Sequence, residues 1–347
     1  MNWNTENIVK LLQSTDEEEQ KLFAEAALVK KENVGNVVYF RGLIEYSNIC
    51  GKNCCYCGIR KDNHKILRYT MTSEEVLEAA MYAHTQGYGS IVLQSGEMES
   101  GNFTQKIEDL LKKITDNTKG ELGITLSLGE QEESALEKWK NAGASRYLLR
   151  IETSNPNLYR KIHPNNSKHS FERRVECLKT IKQLGYQAGT GVMIGLPFQT
   201  NNDLANDLLF FKEINYDMFG MGPYIEHSET PLYQYRNDLM PLRQRFDLTL
   251  KMIAVLRIML KNVNIAATTA MQAIDPNGRE KAIEVGANVI MPNLNPVKYR
   301  DKYLLYEDKP CLDEHKEQCK SCLEMRINLI GEKIGYFEKG DSKHYEK

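Results

Sequence analysis

The sequence predicts an α/β protein built as one (β/α)8 TIM-type barrel with short extensions at both ends. From about residue 36 onward, short apolar runs alternate with stretches of helical periodicity. Eight such units follow one another without a linker or a low-complexity segment. Several helical stretches end in glycine before the next apolar run, which is typical of a helix C-terminus. An open, doubly wound sheet is the alternative that this pattern leaves open.

The alternation also predicts the position of each element. Strands are expected at residues 37–45, 90–94, 124–127, 147–151, 188–194, 218–221, 265–268 and 289–291. The main helices are expected at residues 73–85, 134–141, 171–184, 203–213 and 242–260. Thr72 and Glu75 have the spacing of a capping box at the start of the first of these helices.

Three regions are expected along the chain. Residues 1–35 should form two short acidic helices that cap the barrel, and residues 36–292 should form the barrel itself. Residues 293–347 should form a C-terminal extension with a second cysteine cluster. One α/β barrel often reaches this length, so a second large domain is not needed.

Composition places the chain among ordinary globular proteins and excludes several functions. It is 41% hydrophobic and 27% charged, with a net charge of -2 at pH 7, which argues against a nucleic-acid surface. We expect no membrane span and no signal peptide, because the long apolar run or basic leader that each requires is missing. Seven of the 8 cysteines lie in two clusters, which suits metal binding in a reducing cytoplasm.

Three cysteines follow the first predicted strand with the spacing C-x3-C-x2-C: Cys50, Cys54 and Cys57. Thiolates hold iron–sulfur clusters, and four of them are normal. Three ligands leave one metal position open, which distinguishes a reactive site from a structural one. We therefore predict a cluster with one open iron. Zinc, a disulfide and chance spacing are the alternatives, and His64 is the only nearby candidate for a fourth zinc ligand.

The ends of the next predicted strands carry glycine, small hydroxyl groups or charges. These residues are Ser95, Gly96 and Glu97 after the second strand, Ser127 after the third, and Arg150 and Glu152 after the fourth. In an α/β barrel the loops that follow the strands build the active site. We therefore expect a polar ligand at this end of the barrel, next to the three cysteines.

A three-cysteine loop after the first strand of a βα repeat resembles the radical S-adenosylmethionine (SAM) superfamily. Within it, the chain resembles the HydE family of [FeFe]-hydrogenase maturases. The stretches that carry the resemblance are IEYSNICGKNCCYCGIRKDN, IVLQSGE, TLSLGE, RYLLRIETSNP, GLPFQT, GMGPYIEHSETPL, AATTAM and GANVIMPNLNPVKYR, in this order. The resemblance implies a [4Fe–4S] cluster, SAM as a cofactor, an external electron donor, and cleavage of SAM to a 5′-deoxyadenosyl radical.

Position by position, the resemblance also implies roles. Cys50, Cys54 and Cys57 would hold the catalytic cluster, and Tyr56 would pack near the adenine of SAM. The remaining contacts to SAM would come from Ser95, Gly96, Glu97, Ser127, Arg150, Glu152 and Arg174. On charge, Arg174 suits the carboxylate of SAM, and Glu152 suits its ribose or ammonium group. For Arg150, an ion pair with a neighbouring carboxylate is the structural alternative.

The substrate that the resemblance implies is a small anionic iron complex with cysteine, CO and cyanide, delivered by another hydrogenase maturase. Its product would pass to a scaffold maturase that carries the diiron subcluster. Arg41 and Arg146 would point into the barrel cavity and bind this anion, because an unpaired buried charge is costly. Thr268, Thr269, Tyr303 and Tyr306 would line the same cavity. A surface position for the arginines and core packing for the tyrosines are the alternatives.

A second cysteine set, Cys311, Cys319 and Cys322, follows the last predicted strand with the spacing C-x7-C-x2-C. It resembles an accessory iron–sulfur site of some family members, and a vestigial site is the alternative. The chain departs from the family at Ile151, where histidine is common. A mechanism that needs a base at that position is therefore not expected here.

Three other classes compete with this interpretation. A biotin synthase-like enzyme should carry further cysteines on its barrel strands, whereas Cys177 lies on a predicted helix. A methylornithine synthase-like mutase is harder to separate by sequence. A non-catalytic iron–sulfur carrier would not need a SAM pocket, so cleavage of SAM distinguishes it from the enzymes.

Overall fold

Eight parallel strands form a closed ring in the computed structural model, which describes residues 2–345. The strands are β1 (Val37–Ser47), β2 (Ser90–Ser95), β3 (Gly123–Ser127), β4 (Ala144–Leu148), β5 (Gln187–Thr190), β6 (Met193–Ile194), β7 (Met218–Pro223), β8 (Asn264–Ala267), β9 (Val289–Ile290) and β10 (Lys333–Ile334). Strands β6 and β10 extend the sheet outside the ring. Pairing of β1 with β9 closes the ring, which excludes the open sheet and confirms the predicted barrel.

Helices alternate with the strands around the barrel. They are α1 (Thr5–Leu12), α2 (Asp16–Asn33), α3 (Ser73–Thr85), α4 (Gly101–Asn117), α5 (Glu133–Asn141), α6 (Pro156–Ile162), α7 (Phe171–Gln183), α8 (Asn201–Ile214), α9 (Leu242–Met259), α10 (Thr269–Ile274), α11 (Gly278–Glu284), α12 (Val297–Arg300) and α13 (Lys316–Leu329). Short 3-10 helices lie at Ser167–His169 and Pro231–Asp238. None of the helices within residues 2–345 has both the length and the apolar character needed to cross a membrane.

Local signals in the sequence set several helix ends. The predicted capping box starts α3, because Thr72 Oγ1 accepts from the Glu75 backbone N–H and the Glu75 carboxylate accepts from the Thr72 backbone N–H. Four of the expected glycines follow helices with positive φ angles: Gly87 (80°), Gly143 (114°), Gly185 (75°) and Gly286 (139°). Glycine adopts this conformation without the steric cost of a Cβ atom, so each of these helices ends where the sequence predicts.

Two strands differ from the prediction. The fourth was expected at residues 147–151, but β4 is Ala144–Leu148 and the chain leaves the sheet before Arg150. The fifth was expected to be continuous, but it divides into β5 and β6 around Gly191, where a Cβ atom would lie 1.9 Å from the Gly220 carbonyl oxygen. In both cases the apolar run continues through a bend, so its pattern did not reveal where the strand ends.

The two terminal regions pack on the barrel and also contact each other through an ion pair between α2 and the residue before β10. Of the two N-terminal helices, α2 has 18 residues and is longer than expected. The C-terminal segment pairs with β1 through β10 and then crosses the barrel at the amino-terminal ends of the strands. There Asn264 Nδ2 donates to the Gly340 carbonyl oxygen, and Gln187 Nε2 donates to the Asp341 carboxylate, at 2.9 and 2.6 Å. The carboxyl-terminal ends of the strands remain for the site.

Candidate active site

A cavity of about 360 Å³ lies at the carboxyl-terminal ends of the barrel strands. Most of the residues expected at the site line it: Cys50, Cys54, Tyr56, Cys57, Ser95, Gly96, Glu97, Ser127, Arg150, Glu152, Arg174, Thr268, Thr269, Tyr303 and Tyr306. They come from the ends of five strands (β1, β2, β3, β4 and β8) and the loops that follow, from α7, and from the segment after α12. The structure therefore brings them together around one space, which fits the rule that barrel sites form where the strands end.

The three thiols of the first loop border this cavity and are chemically suited to an iron–sulfur cluster. Burial raises the pKa of all three, and to about 12 for Cys57, where the neighbouring Cys50 thiol adds to the effect. Metal binding to such a site must displace the thiol protons, after which the metal charge offsets the repulsion among the thiolates. Soft thiolate donors that are grouped in this way favour iron–sulfur clusters, so the residues fit the predicted group.

The loop after β2 packs directly on the cysteine loop. The Gly51 backbone N–H donates to the Glu97 carbonyl oxygen at 2.7 Å, and the Gly96 backbone N–H donates to the Ser47 carbonyl oxygen at 2.8 Å. A Cβ atom at Gly96 would lie 2.3 Å from the Ile49 carbonyl oxygen. Glycine is required here because the two backbones approach too closely for a side chain. The contact fixes the position of the thiols relative to Glu97.

Four buried charged side chains form a cluster beside the cysteine loop, defined by Lys52, Glu97, Glu130 and Arg174. Lys52 Nζ lies 2.9 Å from Glu97 Oε1 and 3.0 Å from Glu130 Oε2. Arg174 Nε lies 2.7 Å from Glu130 Oε1, and Arg174 Nη2 lies 3.6 Å from Glu97 Oε2. The four charges sum to zero, which lowers the cost of keeping them out of water.

The protonation states in this charge cluster follow from burial and pairing. Burial opposes the charged form of both cations, but Glu97 and Glu130 outweigh it and raise the pKa of Lys52 and of Arg174. Burial raises the pKa of Glu97, although Arg174 and Lys52 act in the opposite direction. Glu97 Oε1 is paired with Lys52, and a carboxylate oxygen has a second lone pair that can accept a hydrogen bond from a ligand.

Sequence reasoning did not assign Lys52 and Glu130 to the site. Both lie in loops at the ends of predicted strands: Lys52 is within the cysteine loop, and Glu130 is three residues after Ser127. Their importance depends on the contact that each makes with Glu97 or Arg174 across the barrel mouth, which no local pattern contains. His169 was missed for the same reason: its Nε2 accepts from the Asn53 backbone N–H at 2.9 Å and holds the cysteine loop.

Arg150 and Glu152 form an ion pair on the cavity wall, with Nε 2.9 Å from Oε1. The structural alternative for Arg150 is therefore observed, although both residues line the cavity as expected. Glu152 has a φ angle of 66°, an unusual conformation for a non-glycine residue. Such strain costs on the order of 1–3 kcal/mol and is concentrated at functional sites. Ile151 points away: it is fully buried in the core and does not line the cavity.

Tyr56 is held by a neutral histidine. Burial lowers the pKa of His163 to about 3, so the ring carries no charge near neutral pH. His163 Nδ1 lies 2.9 Å from the Tyr159 carbonyl oxygen and must donate to it, which leaves Nε2 to accept from the Tyr56 hydroxyl at 3.1 Å. The histidine thus fixes the Tyr56 ring at the edge of the cavity.

Arg41 and Arg146 require a correction. Both are buried, but neither lines the cavity at the carboxyl-terminal ends of the strands. Arg41 Nη2 donates to the Gly340 carbonyl oxygen at 3.0 Å, and Arg146 Nη2 donates to the Lys339 carbonyl oxygen at 2.7 Å. Arg146 also forms an ion pair with Asp341. The two guanidinium groups therefore bind the C-terminal segment at the amino-terminal end of the barrel, away from the expected substrate position.

Two of the remaining expected cavity residues have hydrogen-bond partners. Tyr303 is buried, and its hydroxyl accepts from Gln94 Nε2 at 3.3 Å. Thr268 Oγ1 donates to the Met221 carbonyl oxygen at 3.3 Å. Two further charged residues on the wall, Glu45 and Lys309, were not predicted; they form an ion pair with 2.6 Å between Oε1 and Nζ. Because 264 residues separate them in the chain, sequence patterns could not have paired them.

The second cysteine set lies apart from this cavity. Cys311, Cys319 and Cys322 do not line it, and Cys319 is buried on α13. Burial raises the pKa of Cys319 to about 11, while Arg279 opposes the effect. The Cys311 carbonyl oxygen accepts from Arg300 Nη1 at 2.9 Å. Thiols with cationic neighbours suit a metal–thiolate site, so the residues fit a second cluster, which remains a prediction.

Comparison with known proteins agrees with this geometry. The profile of the Radical SAM superfamily matches residues 44–211. The [FeFe] hydrogenase maturase subunit HydE of Thermotoga maritima is 47% identical over 94% of this chain and 90% of its own length. The 3-methylornithine synthase of Methanosarcina barkeri is 27% identical over 95% of this chain and 90% of its own length. A crystal structure of methylornithine synthase (PylB) has a TM-score of 0.83 at 24% identity and covers 97% of this chain and 95% of its own chain.

A barrel with three thiols at its mouth, together with the profile match, defines a radical SAM enzyme. Such membership implies a [4Fe–4S] cluster and SAM as cofactors. At 47% identity over nearly the whole chain, the protein belongs to the HydE family of [FeFe]-hydrogenase maturases. The likeness to methylornithine synthase shows the shared fold.

Proposed function

We propose that the chain acts on a small anionic, cysteine-bearing iron complex during assembly of the [FeFe]-hydrogenase active site, after reductive cleavage of SAM. The observation that carries the proposal is the 47% identity to HydE over 94% of the chain. The cavity beside the three thiols supports it, because its volume of about 360 Å³ is within the usual range of small-molecule sites, roughly 300–1,000 Å³.

Cys50, Cys54 and Cys57 are the residues that would hold the [4Fe–4S] cluster. When bound, the cluster and SAM supply a 5′-deoxyadenosyl radical. The chain holds these cysteines in a fixed loop, because the backbone of the cysteine loop packs closely against Gly96 and is hydrogen-bonded to Glu97. A fixed loop matters because a misplacement of about 1 Å in a reacting group can cost about 100-fold in rate.

The charge cluster and the Arg150–Glu152 pair would orient SAM. The Glu97 carboxylate has lone pairs beyond those that face Lys52 and Arg174, which suits the SAM ammonium group, and Arg174 suits the SAM carboxylate. Glu152 would bind the ribose or the ammonium group. Lys52 and Glu130 would hold Glu97 and Arg174 in place before SAM arrives, so little reorganisation is needed on binding.

The apolar part of the cavity wall would protect a radical from water and from side reactions. It includes Leu43, Leu149, Met193, Ile225 and Met291. These side chains offer few polar groups to retain water, and exclusion of water from a closed site prevents quenching of reactive intermediates. Thr268, Thr269, Tyr303 and Tyr306 add hydroxyl groups that would contact the substrate.

The partners follow from the family. We expect a cytoplasmic setting, an external electron donor, another hydrogenase maturase that delivers the iron complex, and a scaffold maturase that receives the diiron product. The second cysteine set would hold an accessory cluster without a direct part in SAM cleavage, because none of its thiols reaches the cavity.

A reconstituted maturation assay tests this function. The anaerobically reconstituted protein is given SAM, dithionite and either the cysteine-bearing iron complex or L-lysine. The proposal predicts that the iron complex is consumed, that apo-hydrogenase becomes active when the other maturases are added, and that Cys54→Ala abolishes both. Formation of 3-methylornithine from lysine, or hydrogenase activation without this protein, would contradict the proposal.

A further inference from the structure

An ion pair on the cavity wall takes no part in the arrangement described so far. Lys309 Nζ lies 2.6 Å from Glu45 Oε1, and both residues line the cavity. Their side chains are nearly inaccessible from outside, with exposures of 9% and 2%. Glu45 lies near the end of β1, and Lys309 lies in the segment between α12 and the second cysteine set. The pair thus joins a barrel strand to the segment that covers the mouth.

Both members keep unused hydrogen-bonding capacity. Glu45 Oε2 accepts from Asn293 Nδ2 at 2.9 Å, and Lys309 Nζ donates to the Tyr303 carbonyl oxygen at 3.0 Å. A carboxylate accepts about four hydrogen bonds, and an ammonium group donates three. One N–H of Lys309 and further lone pairs of Glu45 therefore remain available, and both side chains face the space that a guest would occupy.

The pair is electrically separate from the groups expected to bind SAM. Within residues 2–345, no ion pair links Glu45 or Lys309 to the charge cluster or to the Arg150–Glu152 pair. Arg41 and Arg146 contact the C-terminal segment and do not line this cavity. A buried ion pair costs desolvation free energy that hydrophobic residues would not, so its place on a ligand cavity points to recognition.

We propose that Glu45 and Lys309 bind the amino-acid end of the substrate: Glu45 accepts from the α-amino N–H groups, and Lys309 donates to the α-carboxylate. This inference rests on the proposed function and assigns its substrate recognition to two residues. Adjacent positive and negative groups in one cavity complement an α-amino acid better than a simple anion or cation. The amine still donates hydrogen bonds and the carboxylate still accepts them when the amino acid is bound to a metal.

Three thioether probes separate the two contacts without a free thiol that could bind the cluster. S-methyl-L-cysteine has both groups, 2-(methylthio)ethylamine lacks the carboxylate, and 3-(methylthio)propanoate lacks the amine. Their affinities are measured by anaerobic calorimetry with the reconstituted holoenzyme and saturating SAM. We expect S-methyl-L-cysteine to bind at least tenfold more tightly than either analogue. Equal binding of all three, or no binding of S-methyl-L-cysteine at millimolar concentration, overturns the proposal.

Two variants distinguish recognition from a merely structural link between β1 and the covering segment. Lys309→Gln should weaken the binding of S-methyl-L-cysteine and of 3-(methylthio)propanoate at least tenfold and leave the affinity for 2-(methylthio)ethylamine unchanged. Glu45→Gln should weaken the binding of S-methyl-L-cysteine and of 2-(methylthio)ethylamine and leave the affinity for 3-(methylthio)propanoate unchanged. A structural link would weaken all three probes alike in both variants, which would overturn the proposal. Lys298→Gln removes an exposed ion pair with Glu75 and serves as the control without effect.

The failure of this inference can be told from the failure of the proposed function. Formation of 5′-deoxyadenosine from SAM is measured in the same preparations. Radical formation with no discrimination among the probes rejects the Glu45–Lys309 assignment alone. Absence of 5′-deoxyadenosine with an intact cluster rejects the proposed function, whatever the probes show.

Discussion

Substitution of Gly96 by alanine should disable the site through a single methyl group. A Cβ atom there would lie 2.3 Å from the Ile49 carbonyl oxygen and 2.8 Å from Cys50 Cβ, whereas ordinary contacts begin at 3.4 Å. The cysteine loop must therefore move by about 1 Å, and a shift of that size in a reacting group costs about 100-fold in rate. We expect Gly96→Ala to reduce 5′-deoxyadenosine formation about 100-fold in an anaerobic assay with dithionite.

The matched control for this variant is Gly101→Ala. Gly101 starts α4 and has nothing within 4 Å of the position of an added Cβ atom, so the methyl group meets open space. Iron content and cluster absorbance should be measured for both proteins, because a displaced loop also weakens cluster binding. If Gly96→Ala retains a full cluster and cleaves SAM within twofold of the wild-type rate, the argument from close backbone approach is refuted.

Three further substitutions test other parts of the site and its support. Glu130→Gln leaves the two buried cations, Lys52 and Arg174, with one carboxylate, so we expect the KM for SAM to rise at least tenfold. An unchanged KM would show that the charge cluster does not position SAM. Asp207 accepts from the Ser154 backbone N–H and hydroxyl at 2.6 Å, and burial raises its pKa to about 7. In the unfolded chain this carboxyl ionises near pH 4, so folding takes up a proton between about pH 4 and 7. The free energy of unfolding of the wild type therefore falls by up to about 4 kcal/mol as the pH rises through that window. Asp207→Asn does not titrate and so lacks this loss of stability. In anaerobic thermal melts, the Tm of the variant minus that of the wild type should increase from pH 5 to pH 8, and a constant difference would contradict the raised pKa. Cys54→Ala should abolish SAM cleavage, whereas Cys319→Ala should retain at least half of it, because only the first thiol borders the cavity.

The sequence predicted those residues whose position depends on the barrel rule alone. The carboxyl-terminal ends of parallel strands meet at one mouth, so Ser95, Glu97 and Ser127 could be grouped around the cysteine loop from the sequence. Gly96 belongs to the same set, although the reason for a glycine there is a backbone contact with Ile49 that only the structure supplies. Arg174 lies on α7, and only the family resemblance placed it at the site.

Residues whose role depends on contacts far along the chain were beyond such reasoning. The resemblance implied that Arg41 and Arg146 point into the barrel, and both are buried, but strand alternation does not give their height along the barrel axis. Their partner is the C-terminal segment, which is separated from Arg146 by 195 residues at Asp341. The Glu45–Lys309 pair is separated by 264 residues and was missed for the same reason.

The most direct test of the account is the formation of 5′-deoxyadenosine by the anaerobically reconstituted, dithionite-reduced protein with SAM. The three thiols, the charge cluster and the adjoining cavity predict that wild type forms 5′-deoxyadenosine and methionine in equal amounts, and that Cys54→Ala forms neither. A wild-type protein with a full cluster that binds SAM without cleaving it would contradict the central claim that this barrel mouth is a radical-forming site.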